Sequence, residues 1–146
     1  MNNTLANRLA ATARLVFGSR TVRFIAYLGL CAAYLQGGLV KLTDFPGAIA
    51  EMNHFGLTPA SLFAVLVIAL ELGASAMILT GRLRWLGALG LAGFTLLATG
   101  IALRYWELPI GHERFMAANA FFEHLGLVGG FLLVAWLDFQ ENEYDG

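Results

Sequence analysis

Charged residues are scarce in this sequence. Asp, Glu, Lys and Arg make up 13% of its 146 residues, whereas hydrophobic residues make up 58%. Soluble domains carry about 25% charged residues, so this composition argues against a soluble globular protein. The nine basic residues are balanced by ten acidic ones. Without a strongly cationic surface, we expect no nucleic-acid partner.

Cysteine and histidine are also rare, and this restricts the chemistry. Cys31 is the single cysteine, so the chain forms no internal disulfide and no dithiol redox pair. Of three histidines, only His124 lies in an apolar run, while His54 and His112 lie in polar connections. A haem held by two histidines within a membrane is therefore excluded. No zinc-ligand spacing, phosphate-binding glycine loop or nucleophile elbow occurs, so we expect no metal and no covalently bound cofactor.

The apolar residues fall into four long runs. About 20 helical residues cross a hydrocarbon layer roughly 30 Å thick, and each run approaches that length. The sequence therefore predicts an all-α, polytopic membrane protein: a four-transmembrane-helix bundle forming one domain, residues 24–137. The predicted spans are 24–42, 59–79, 85–103 and 115–137. Thr58 is predicted to cap the second span, with Pro59 as its first helical residue.

The segments outside the spans differ in charge. Residues 1–23 are basic, with apolar residues at helical spacing, and this pattern fits either a short amphipathic N-terminal helix on the membrane surface or a flexible basic tail. Residues 43–57 and 104–114 read as polar connections, and 81–84 as a tight turn. Residues 138–146 form an acidic tail that we expect to be frayed.

The basic residues indicate the orientation. Six of the nine precede the first span or lie in the 81–84 turn, and three lie toward the other side. Because basic residues near spans are retained in the cytoplasm, we expect both termini to be cytoplasmic. The connections 43–57 and 104–114 then face outward.

Small residues predict which helix faces pack together. In lipid, helices approach one another where side chains are small. Each predicted span carries such a stripe: Gly29, Ala33 and Gly37; Ala69, Gly73 and Ala76; Gly90, Gly93 and Gly100; Gly126 and Gly130.

Several polar residues within the spans are candidates for a ligand pocket. An ionisable group at membrane depth costs several kcal/mol unless it finds a partner or water, about 2.5 to 3.5 kcal/mol on insertion scales. The candidates are Gln36, Lys41, Glu71, Asn119, Glu123 and His124. With the orientation above they predict a polar pocket opening outward. Two alternatives remain open: that Lys41 only snorkels to the membrane interface, or that Glu71 or Glu123 is a buried carboxylate that pairs with Lys41 for packing alone.

Four sequence blocks resemble the DoxX family. They are Gly38–Leu42, Leu70–Gly73, Thr80–Arg82, and Phe121–Phe122 leading into Leu125–Gly130, so that the resemblance covers residues 27–136. The resemblance implies a four-span bacterial inner-membrane protein, in some members linked to thiosulfate or quinone redox chemistry and to thiol-stress complexes. Lys41 and Glu71 match the family pattern residue by residue.

Two functions of different classes follow. The first is a component of a membrane redox system, quinone- or thiol-linked, whose pocket takes a quinone as a non-covalent cofactor. The alternative is a non-catalytic accessory or assembly subunit, whose partners besides the lipid bilayer are a larger membrane complex or further copies in a homo-oligomer. A transporter is disfavoured because four spans without an internal repeat are few for alternating access.

Overall fold

Every regular element of the structure is a helix. The computed structural model describes residues 2–144 and contains no strand among them. The helices are α1 (Asn2–Phe17), α2 (Arg20–Thr43), α3 (Phe45–His54), α4 (Ala60–Thr80), α5 (Arg84–Ala102) and α6 (His112–Tyr144). A short 3-10 helix, Tyr105–Glu107, precedes α6. The predicted all-α fold is confirmed.

Helices α2, α4, α5 and α6 are long and apolar enough to cross a membrane. The shortest of these four helices, α5, has 19 residues. At a rise of about 1.5 Å per residue it is roughly as long as the hydrocarbon layer is thick. Only 22% to 33% of the most apolar window of each helix is buried inside the bundle. Most of the apolar surface is therefore left for lipid, as a membrane bundle requires. The protein is a multi-pass membrane protein.

We predicted that residues 43–57, after the first span, form a polar connection without a helix. The structure instead places helix α3 there. The carboxylate of Asp44 caps this helix by accepting a hydrogen bond from the Gly47 backbone N–H at 3.0 Å. Ala48 and Met52, four residues apart, lie on one face and pack with Ala64 of α4. This apolar spacing is a helical signal that the polar residues of the segment obscured.

The predicted cap of α4 is wrong. Pro59 rather than Thr58 holds the N-cap position, with an extended backbone and no side-chain cap. The Pro59 carbonyl accepts hydrogen bonds from the backbone N–H groups of Leu62 and Phe63, at 3.1 and 3.2 Å. Thr58 lies one residue before the cap position, so its hydroxyl does not serve the first turn.

The tight turn between α4 and α5 is confirmed, and α6 supports it. Gly81 has φ of 79°, a left-handed conformation that favours glycine. The N-terminus of α5 receives no cap from its own turn. Instead Asp138 of α6 accepts a hydrogen bond from the Trp85 N–H at 3.0 Å and pairs with Arg84 at 3.2 Å. Helix α6 continues through the acidic stretch to Tyr144, so the fraying that we expected from residue 138 is not found as far as that residue. Residues 145–146 of the predicted tail lie outside the described residues.

The basic N-terminal segment forms a helix rather than a flexible tail. Helix α1 is separated from α2 by Gly18 and Ser19, and the Ser19 hydroxyl caps α2 by accepting from the Val22 N–H at 3.2 Å. The described side chains of α1, from Leu5 to Phe17, are all exposed. The apolar and basic side chains of α1 are therefore free of contacts that would bury them against the rest of the bundle.

Most residues of the small-residue stripes do not pack inside the bundle, contrary to our prediction. Gly37, Gly90 and Gly130 are half-buried, and a Cβ atom at Gly90 or Gly130 would lie 3.4 or 3.1 Å from a leucine of another helix. All three stripe residues of α4 are exposed, as are Gly29, Ala33, Gly93, Gly100 and Gly126. The interior combines large side chains with alanines outside the predicted stripes, such as Ala74 and Ala88. The rings of Tyr34 and Phe131 lie 5.4 Å apart there. Helices separated by aromatic rings need small residues only where they approach most closely. One such point is Gly87, where a Cβ atom would lie 2.6 Å from the carbonyl oxygen of Ala74.

Candidate functional site

A cavity of about 590 Å³ lies at the end of the bundle that carries α3. We call it the α3 cavity. It is lined by residues of α2, α3, α4, α5 and α6, most of them apolar, and its volume is in the range of small-molecule sites. Its wall includes Leu66 and Leu97, which are 53% and 70% exposed. The cavity is therefore open to the surroundings of the bundle. Its polar lining residues are Tyr34, Lys41, Glu51, Glu71, Thr95 and His124.

Lys41 and Glu71 form an ion pair in the cavity wall. The Lys41 Nζ lies 3.4 Å from Oε1 of Glu71, and the Glu71 residue is only 5% exposed. A second carboxylate, that of Glu51 on α3, lies 3.8 Å from the same Nζ and is half-exposed. The buried pair links α2 to α4, and the weaker contact links both to α3. Lys41 therefore points to the carboxylates, and the alternative that it only snorkels does not describe its contacts.

Gly37 lies next to this pair. A Cβ atom at Gly37 would be 3.5 Å from both carboxylate oxygens of Glu71 and from Lys41 Nζ. The glycine thus leaves the charged groups uncovered on that side. The charged pair is therefore part of the cavity surface rather than sealed within the helix contact.

Two hydroxyl groups of α5 hold the other polar groups of the cavity. The Thr95 hydroxyl is 2.5 Å from the Tyr34 hydroxyl, and the Thr99 hydroxyl is 2.8 Å from Nδ1 of His124. Both threonine side chains also bond backbone carbonyls four residues earlier on α5, at 2.6 Å. Tyr34 and His124 are therefore each fixed by a partner that is itself fixed to a helix backbone.

The structure brings three of the six predicted pocket residues to the α3 cavity. Lys41, Glu71 and His124 line it. Gln36, Asn119 and Glu123 are exposed on the outside of the bundle and do not line it. Asn119 and Glu123 lie on the same side of α6 as Gly126, and all three residues are exposed. The buried face instead contains Val128, Phe131, Val134, Ala135 and Asp138.

The sequence did not lead us to two hydroxyl residues that line the cavity, Tyr34 and Thr95, or to Thr99, which contacts the lining residue His124. Thr95 and Thr99 are four apart on α5, and Tyr34 precedes Lys41 by seven residues on α2. This spacing places each set on one helix face, and it could have been read as a polar stripe. Cys31, by contrast, is fully buried in the core. Among the described residues, no group of three His, Cys, Asp or Glu side chains is arranged to hold a metal ion.

Part of this chain matches a known family. The model of the DoxX family matches residues 22–104, which is more than half of the chain. The chain belongs to the DoxX family. The matched region runs from the start of α2 to just after α5 and contains the Lys41–Glu71 pair, whereas His124 and the rest of α6 follow it. No curated protein and no solved structure shows significant similarity to this DoxX-family protein.

Proposed function

We propose that this DoxX-family protein is a component of a membrane redox system that binds a quinone-like ring in the α3 cavity. The observation that carries the proposal is the cavity itself: an open, mainly apolar space whose few polar groups are held in place by other residues. A quinone needs apolar surroundings for its ring and a small number of polar groups at its oxygen atoms, and lipid is the phase from which it comes. The same chemistry would suit a quinone delivered from a partner enzyme.

The residues present fit such a ring. The aromatic side chains of Phe55, Phe63 and Phe94 contribute apolar surface. Lys41 offers N–H donors at one place in the wall, and His124 offers a ring nitrogen at another. These residues bind and orient the ring. When a quinone is bound, it supplies the capacity to accept or release electrons.

We further propose that the protein lies in the bacterial inner membrane with both termini in the cytoplasm. The support is the distribution of basic residues, six against three. Helix α1 supports the same orientation, because its exposed arginines and leucines suit the anionic surface of the cytoplasmic leaflet. The α3 cavity then lies in the outer half of the membrane.

Binding of a quinone analogue to the purified protein in nanodiscs tests the proposal. Ala98 lines the cavity, whereas Ala69 is exposed on the outside of α4. We expect saturable binding by the wild type, at least a tenfold loss of affinity in Ala98→Trp because the indole occupies the cavity, and no change in Ala69→Trp. Absence of saturable binding, or equal loss in both variants, would contradict the proposal.

A second candidate function is an accessory or assembly subunit of a larger membrane complex. The observation that favours this function is that Asn119 and Glu123 are exposed on the outer face of α6. Both lie within the predicted span 115–137, in its first half. A carboxylate that faces lipid is costly, and a hydrogen-bond donor on a neighbouring subunit would remove that cost. This function predicts that Glu123→Leu lowers the mass of the assembly in native-membrane nanodiscs, while Leu97→Ala does not. An unchanged mass would argue against it.

A further inference from the structure

We infer that the α3 cavity selects a ring that carries hydroxyl donors, the hydroquinone form, over the quinone form of the same ring. This inference rests on the proposed function and specifies its ligand. It follows from which polar atoms of the cavity wall have a proton left to donate. Each hydroxyl has one proton, so the contacts of the threonine side chains decide the direction of every bond.

The contacts of Thr99 determine the tautomer of His124. The Thr99 hydroxyl lies 2.6 Å from the carbonyl oxygen of Thr95, which can only accept a hydrogen bond. The single proton of Thr99 is used there, so the 2.8 Å contact with His124 must be donated by Nδ1–H of the imidazole. In the neutral ring, Nε2 then carries the lone pair and is an acceptor.

The Nε2 atom is accessible to a ligand. Nε2 of His124 has no hydrogen-bond partner among the described residues. Every buried side-chain nitrogen or oxygen atom among those residues does have a partner. An unpartnered Nε2 is therefore not a buried atom. This accessible Nε2 belongs to a residue that lines the α3 cavity, and a ligand bound there is its expected partner.

The same argument applies to Tyr34. The Thr95 hydroxyl donates to the carbonyl oxygen of Leu91 at 2.6 Å, so the Tyr34 hydroxyl must donate to Thr95. The proton of Tyr34 is thus occupied, and its oxygen retains lone pairs only. The Glu71 carboxylate adds further acceptors.

Donors are few by comparison. Lys41 is the only described cationic side chain that lines the cavity, and its ammonium group faces two carboxylates, at 3.4 and 3.8 Å. The wall therefore presents more acceptors than donors. A quinone offers only acceptors, whereas a hydroquinone offers two O–H donors. Since an unpaired polar group costs free energy in an apolar cavity, the hydroquinone is the better match.

Preference for the reduced form also has a redox consequence. A ligand that binds tenfold tighter when reduced has its two-electron potential raised by about 30 mV in the bound state. The cavity would therefore favour reduction of the bound ring. No covalent step is needed for this effect.

The test compares three ligands in nanodiscs under anaerobic conditions: a short-chain naphthohydroquinone, the matching naphthoquinone, and the dimethyl ether of the hydroquinone, which has no donor. We expect the hydroquinone to bind at least tenfold tighter than the other two. Thr99→Val should reduce this preference to below threefold, because His124 is no longer held as the Nδ1–H tautomer. Thr80→Val is the matched control, since Thr80 makes the same backbone contact on α4, at 2.7 Å, away from the cavity.

The outcomes separate this inference from the proposed function. Equal or tighter binding of the quinone, or an unchanged preference in Thr99→Val, overturns the inference and leaves the proposed function standing. Saturable binding of none of the three ligands overturns both. Nitrogen-15 NMR of the imidazole provides a ligand-free readout: a neutral His124 protonated at Nε2 rather than Nδ1 also overturns the inference.

Discussion

The contribution of the Lys41–Glu71 ion pair to stability can be compared with that of a second ion pair, which Lys41 makes with Glu51. Lys41 lies 3.4 Å from the carboxylate of Glu71 and 3.8 Å from that of Glu51. The Glu71 side chain is 7% exposed, whereas that of Glu51 is 44% exposed. One cation therefore has a buried and a half-exposed partner, and the two distances are similar.

Burial should make the two contacts differ in magnitude. Removing one member of a buried pair leaves the other unpaired, at a cost of about 3 to 5 kcal/mol, while replacing both members with apolar residues is often neutral. We therefore expect Lys41→Met and Glu71→Leu each to destabilise by about 3 kcal/mol, and the double variant to cost much less than their sum. Glu51→Gln should cost at most about 1 kcal/mol, as exposed pairs do.

Reversible unfolding in mixed micelles, by titration of a denaturing detergent, gives the free energies for this cycle. Additive costs of Lys41→Met and Glu71→Leu would show that the two residues do not interact. A cost of Glu51→Gln equal to that of Glu71→Leu would refute the claim that burial, rather than charge alone, sets the magnitude. Helical content of each variant by circular dichroism is the control for gross misfolding.

Three further predictions follow from the packing and the topology. The Gly87→Ala variant should be less stable than the Gly93→Ala variant by about 1 to 3 kcal/mol. A Cβ atom at Gly87 would lie 2.6 Å from a backbone oxygen, whereas nothing lies within 4 Å of a Cβ atom at Gly93. Equal unfolding free energies of the two variants would contradict the close approach of α4 and α5. Asp138→Asn should lower the melting temperature in detergent, since it weakens a buried ion pair to α5; an unchanged melting temperature would show that the contact is dispensable. In a Cys31→Ala background, a cysteine replacing the exposed Asn53 should react with an impermeant thiol reagent in intact cells and one replacing the exposed Glu143 should not; the reverse pattern would invert the orientation.

Much of the fold could be predicted because membrane insertion depends on properties that add up along a helix. The four spans were found within a few residues of their ends, since each is a long apolar segment bounded by charge or glycine. Lys41 and Glu71 could be identified as partners for a related reason: a charge at membrane depth requires one. The helix α3 was missed because its capping residue and apolar spacing lie among polar residues that resemble a loop.

The candidate site could be predicted only in part, since it depends on how each helix is rotated about its axis. Glu123 and His124 are consecutive on α6, so they differ by about 100° around the helix. The structure turns His124 toward Thr99 and leaves Glu123 exposed. No feature of the α6 sequence alone decides whether Glu123 or His124 faces the bundle interior. The contact between His124 and the Thr99 hydroxyl on α5 decides it.

The sequence by itself determined that this chain is a four-span helical membrane protein, because the transfer of apolar side chains from water to lipid is a sum over each segment. Only the tertiary structure decided which faces meet, and with them the α3 cavity and the Thr99–His124 contact. The physical reason is that a helix such as α4 is apolar on all sides, so lipid and helix interior are equivalent environments for most of its residues. Its rotation is then set by the shapes of the side chains on neighbouring helices, which become adjacent only when the bundle forms.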